Sequence, residues 1–96
     1  MLPRQVLGSA RAMSTPTQEL PAANRVVDAR GMACPGPLLE AERGILLVPV
    51  GGVLELTSSN EDTNIDVPAW AGKVGHTYLG TVRESGFLRI FVRRNK

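Results

Sequence analysis

Two prolines one residue apart, Pro35 and Pro37, constrain this chain more than any other feature, because they fall between a β-branched run and a stripe of helical spacing. Proline has its φ already set near the helical value and lacks an N–H, so it suits a first helical turn and ends a strand. The single cysteine, Cys34, immediately precedes them. Before it, Arg25-Val26-Val27-Asp28-Ala29 reads as a short strand that ends in an Arg30-Gly31 turn. After it, Leu38, Ala41, Ile45 and Val48 follow helical spacing, Leu39 and Leu46 widen the stripe, and Glu40, Glu42 and Arg43 face out. The reading is a helix over about Pro35 to Val48 with Cys34 at its N-cap. Gly44 inside that helix costs about 1 kcal/mol relative to alanine.

The remaining elements follow from punctuation and period. Pro49-Val50-Gly51-Gly52 breaks the helix and leads into a strand, Val53-Leu54-Glu55-Leu56-Thr57. After the polar loop Ser58 to Asp62, Thr63 and Asp66 have the spacing of a capping box. A second helix then runs through Ile65, Val67, Ala69, Trp70 and Val74 to Gly75, with Pro68 in its first turns and a start as late as Val67. Two strands, His76 to Val82 and Phe87 to Arg93, flank a turn at Arg83-Glu84-Ser85-Gly86. The order β-α-β-α-β-β buries every apolar face when two helices pack on one face of a four-stranded mixed sheet, an α/β fold of the α+β kind, a two-layer sandwich.

Length and charge exclude several functions. Ninety-six residues, 43% of them apolar, hold one domain at most and no cavity-rich enzyme of the large α/β type. Residues 1–24 carry three prolines and no apolar periodicity, which predicts a disordered tail. Arg4 and Arg11 without an acid before Glu19 give it a weak likeness to a transit peptide, but it is short and proline-broken. An added or over-extended start, with Met13 as the true initiator, is the preferred reading. Setting the tail aside leaves nine basic against eight acidic groups over residues 25–96, too balanced for a nucleic-acid binder. One cysteine forms no internal disulfide, and no stretch approaches the roughly 20 apolar residues that span a bilayer. The expectation is a cytoplasmic monomer with no cofactor. One Cys and one His are too few to build a metal site.

A lone cysteine is by default a buried structural thiol. Its place at a proline-set helix start favours the other reading, a reactive thiol. The positive end of a helix favours a thiolate, and the prolines leave Gly36, then Leu38, as the first-turn donors to sulfur, so a lowered thiol pKa is expected. With no second cysteine, any mixed disulfide or persulfide must be resolved by a partner's thiol. Arg30 and Arg43 are candidates for partner docking or plain surface arginines. Trp70 reads as core with a possible docking role, His76 as a strand-starting residue rather than an acid or base, and Asp66 as a cap. Arg89, Arg93, Arg94 and Lys96 either steer an acidic partner or solvate a strand face.

Asp28-x-x-Gly31-x-x-Cys34-Pro35-x-Pro37, the Pro49-x-Gly51 break, and Asp66-Val67-Pro68-Ala69-Trp70 with Gly75-His76 together resemble the TusA (SirA-like) family of small sulfur carriers, over about Val26 to Arg94. The resemblance implies a fold like the C-terminal domain of a translation initiation factor. It also implies a cysteine, here Cys34, that accepts sulfane sulfur as a persulfide and relays it, with Pro35, Gly36, Pro37, Gly31 and Asp28 in support. Implied partners are a sulfur donor, a cysteine desulfurase or rhodanese-like protein, and an acceptor sulfurtransferase. The destinations implied are transfer-RNA thiolation, molybdenum cofactor assembly or sulfur oxidation. Asn60 stands where the family commonly has aspartate, and Glu40 and Glu42 stand amid positions often basic. The rival readings are a regulatory or RNA-associated binding module and a thiol redox sensor.

Overall fold

Strand β1 (Arg25–Asp28), helix α1 (Gly36–Ile45), strand β2 (Val53–Ser58), helix α2 (Thr63–Val74) and strands β3 (Thr77–Glu84) and β4 (Phe87–Arg93) follow one another in the order the sequence predicts. The structure is a computed structural model and describes residues 20–96. The sheet is mixed, with strands in the order β1-β2-β4-β3. Strand β1 runs parallel to β2, and β4 lies antiparallel between β2 and β3. The parallel pair is the one joined by a helix, as a parallel connection requires.

Period-two alternation divides the sheet. Leu54 and Leu56 of β2 and Leu88, Ile90 and Val92 of β4 meet Ala41 and Ile45 of α1 and Val67 and Ala71 of α2 in one core. Both helices therefore cover the same face. On the other face Arg89 bonds Glu55 at 2.9 Å and Glu84 at 3.1 Å, with its guanidinium 5.4 Å from the centre of the Phe91 ring.

Residues 1–19 of the predicted tail lie outside the described residues, but the end of that segment differs from the expectation. Leu20 to Ala23 line a cleft with Glu55, Arg89 and Phe91, and Asn24 exchanges bonds of 2.8 Å with Val53, its Oδ1 accepting and its N–H donating. A two-layer fold leaves one sheet face open, and Phe91 on that face needs cover that charged neighbours alone do not provide.

The helices also depart from their predicted bounds. Helix α1 stops at Ile45, and residues 46 to 48 continue as tight turns, Leu46, Leu47 and Val48 each donating to the carbonyl three residues back. The residue before proline is disfavoured in the α region, and Pro49 shortens the helix accordingly. The Arg94 guanidinium then donates to the Val48 carbonyl at 2.8 Å and the Leu46 carbonyl at 3.4 Å, which satisfies two carbonyls after the end of α1. Helix α2 begins at Thr63, five residues before Pro68, because burial of Thr63, Val67 and Ala71 holds a first turn that helix propensity alone would give up.

Candidate functional site

The β1–α1 loop is anchored by one local pairing and by contacts to residues distant in the chain. The Asp28 carboxylate accepts from the Arg30 backbone N–H at 3.1 Å and from its guanidinium at 2.9 Å. That pairing holds the Asp28 pKa down to about 2. Arg30 in turn lies over the Phe87 ring, 5.1 Å from its centre. Gly31 sits at φ 83°, a conformation an L side chain resists, and its N–H donates to Ser59 Oγ at 2.9 Å. Ala29 is fully buried and its N–H reaches the Thr57 carbonyl at 2.7 Å. The loop is thus tied to the β2–α2 loop and to β4, and it presents Cys34 as an exposed free thiol.

The proline pair acts one residue later than predicted. Pro35, not Cys34, occupies the N-cap position, the Cys34–Pro35 peptide bond is cis, and Pro37 is buried in the first turn of α1. The Gly36 N–H is taken by the Ala33 carbonyl at 2.7 Å, so the donor expected for sulfur is already committed. The sulfur's partner is instead Asp66 on α2. The Cys34 S–H donates to Asp66 Oδ2 at 3.4 Å. The consequence reverses the expected lowering of the thiol pKa. The hydrogen bond to Asp66, then partial desolvation, then the charges of Asp66 and Asp62, raise the thiol above its ordinary range.

Asp66 is free for this contact because the capping box does not form. Asp62 is the N-cap of α2 and its side chain makes no cap bond. The Thr63 hydroxyl pairs with the buried Ser58 hydroxyl at 2.8 Å, Asn60 receives the Asp62 N–H at 2.9 Å, and the Asn60 N–H donates to Ser58. Asn60 therefore closes the turn that leads into α2, and this network fixes the first turn from which Asp66 projects. Asp66 was legible in the sequence as a motif residue. Its chemical role was not, because Cys34 lies 32 residues away.

The other candidates are spread out. Arg43 is paired with Glu40 at 2.9 Å on α1, and Arg30 with Asp28, so both arginines are neutralised locally and the charges that bear on the sulfur are those of Asp66 and Asp62. Trp70 is half-buried and lines a groove between the helices with Leu38, Glu42, Asp66, Ala69 and Lys73, which puts it beside the site and not in the centre of the core. His76 follows the far end of α2, roughly 13 Å along the axis from Asp66. Its ring meets Trp70 edge-on at 5.7 Å, and its Nδ1 accepts the Asn95 N–H at 3.2 Å. Among the described residues no cluster of three or more metal-ligating side chains occurs.

Burial, with Arg94 and Lys96 nearby, lowers the His76 pKa in the folded protein. The unfolded chain, whose histidine titrates near pH 6.5, then binds more protons than the native state as pH falls below that value. Stability from His76 is complete above about pH 6.5 and declines as pH falls toward the lower native pKa. The expected result is a urea midpoint that drops between pH 7.5 and pH 5, with a shallower drop in His76→Gln.

A sequence model of the Sulfurtransferase TusA family matches residues 25–94, most of the chain. The chain belongs to the TusA family. A relative from Archaeoglobus fulgidus, named "Putative sulfur carrier protein", is 44% identical over 71 residues, which cover 74% of this chain and 97% of that protein. The sulfur carrier protein TusA of Pseudomonas entomophila is 29% identical over 71% of this chain and 85% of its own. Among solved structures, the crystal structure of a SirA-like protein from Desulfitobacterium hafniense superposes with a TM-score of 0.65. It covers 75% of this chain and 99% of that one, and at 18% identity the likeness speaks for the fold. The TusA match makes sulfur transfer the general business of this domain. No helix among the described residues is long and apolar enough to cross a membrane.

Proposed function

We propose that this TusA-family domain is a persulfide carrier. The Cys34 sulfur attacks the outer sulfur of a donor persulfide, holds it as Cys34 persulfide, and yields it to an acceptor protein's thiolate. The observation that carries the reading is an exposed free thiol, the chain's one cysteine, at the start of α1 within the matched region. A carrier must let two different partners reach one sulfur in turn, and a thiol on a fixed, protruding loop allows this. Asp28, Gly31 and the buried Pro37 hold the loop's shape, while Pro35 and Gly36 border the sulfur without a bulky polar side chain. No internal thiol resolves the persulfide, so the acceptor is another protein. Cysteine desulfurases or rhodanese-like proteins are the expected donors, and an acceptor sulfurtransferase serving transfer-RNA thiolation, molybdenum cofactor assembly or sulfur oxidation the expected recipient.

The rival readings are weaker. Asp62 and Asp66 beside the sulfur repel phosphate, against an RNA-binding role for this end of the molecule. A peroxide sensor works through a low-pKa thiolate, and this thiol is shifted the other way. The test is incubation with a cysteine desulfurase and free cysteine, followed by intact mass. One added sulfur that dithiothreitol removes is the expected result. No added sulfur on the wild-type chain overturns the reading.

A further inference from the structure

The environment of Cys34 is unusual for a sulfur nucleophile. Reactive thiols are commonly paired with a cation, a histidine or a run of amide donors. Here the hydrogen-bond partner of the sulfur is an anion, and it comes from the other helix. Three neighbouring carboxylates are neutralised, Asp28 by Arg30, Glu40 by Arg43 and Glu61 by Arg83. Asp62 and Asp66 join no ion pair among the described residues, and these two are the charges that act on the sulfur. Asp66 is only partly exposed and is held by an α2 first turn built on the Ser58–Thr63 pair. Its position is therefore set by the fold and is not the chance pose of a long surface side chain.

We propose that Asp66 is a positioning residue for the sulfur step: its carboxylate accepts the Cys34 S–H, fixes the direction of Sγ, and keeps the proton on the resting sulfur until that contact is broken. The inference rests on Cys34 being the carrier sulfur. In the loading step, the donor's S–S bond breaks and a Sγ–S bond forms. The donor departs as a thiolate and takes up the proton that Asp66 had kept on Sγ, with no net oxidation or reduction. A carrier with its thiol held in this way reacts slowly with stray disulfides and oxidants, since the thiolate is the attacking form. Once loaded, the outer sulfur lies about 2 Å beyond Sγ, the length of an S–S bond, and Sγ has no proton left for Asp66 to accept.

The charged groups around the sulfur define the controls. Asp66 comes from α2 and Asp62 from its N-cap, the Asp28–Arg30 pair from the sulfur's own loop, and the Glu40–Arg43 pair from α1, while Glu42 of α1 and Lys73 of α2 line the groove that Asp66 shares. The experiment is the rate of iodoacetamide alkylation of Cys34 from pH 6 to 10, for wild type, Asp66→Asn, Asp66→Glu and Asp62→Asn, with N-acetylcysteine as reference. The expected result is a wild-type midpoint above that of the reference thiol and alkylation at pH 7 that is several-fold faster in Asp66→Asn, because the thiolate is the attacking form. Asp66→Glu should return most of the suppression, and Asp62→Asn should change the rate less than Asp66→Asn does. Superimposable profiles for wild type and Asp66→Asn overturn the proposal. Should Asp66→Asn fail to fold, a wild-type midpoint at or below that of N-acetylcysteine overturns it alone. Because alkylation needs no donor, a wild-type chain that shows the shifted profile but gains no sulfur would retire the carrier reading, and with it the sulfur step, while leaving the hold of Asp66 on the Cys34 proton established.

Discussion

A Cys34→Ser variant is expected to take up no sulfur from a desulfurase, while its urea midpoint stays with that of wild type. Both halves follow from the same geometry. The chain has no other thiol, and a methionine thioether or serine hydroxyl does not form a persulfide by exchange at neutral pH. The Cys34 side chain is exposed and outside the core, where substitutions usually change stability by less than about 0.5 kcal/mol. A serine hydroxyl can still donate to Asp66, so the loop retains that contact. Intact mass before and after dithiothreitol, alongside urea unfolding, reads both quantities. Undiminished sulfur on the serine variant would remove Cys34 from the mechanism.

Gly44→Val is expected to be the most damaging single change in α1, costing about 3 kcal/mol, the upper part of the range for overpacking a tight contact. A Cβ at position 44 would lie 2.9 Å from Val27 Cγ2 and 3.1 Å from Leu54 Cδ1, closer than such atoms pack. Valine adds two methyl groups to that clash. Gly44→Ala should cost less, since alanine returns about 1 kcal/mol of helix propensity. For a domain whose whole stability is on the order of 5 to 10 kcal/mol, the valine change is a large share. The effect reaches the site as well, because α1 is the helix that begins beside Cys34. Urea unfolding of the three proteins checks the order glycine, alanine, valine. A stabilised Gly44→Ala would show that the helix can move away from the sheet at little cost.

Gly44 marks the boundary between local and tertiary information. In sequence it is a blemish in a helical stripe, and in the fold it is the point where α1 rests against β1 and β2. The same boundary runs through the site. The strand, turn and helix around residues 25–45 follow from β-branched residues, Gly31 and the prolines, all acting within a few positions. The N-cap shifted by one residue because Gly36 bonds back to Ala33, a choice between two nearby acceptors that spacing does not reveal. Asn60, a departure from the family pattern, turned out to carry the turn before α2.

Periodicity, proline placement and the single cysteine determined the order of the elements, the two-layer packing and the identity of the candidate sulfur, because each depends on residues close in the chain or on the alternation of apolar faces. The state of that sulfur was decided mainly by tertiary structure. Helix α2 brings Asp66 within 3.4 Å of Cys34, and its carboxylate, with the Gly36 N–H already given to Ala33, opposes the thiolate that the helix end was expected to favour.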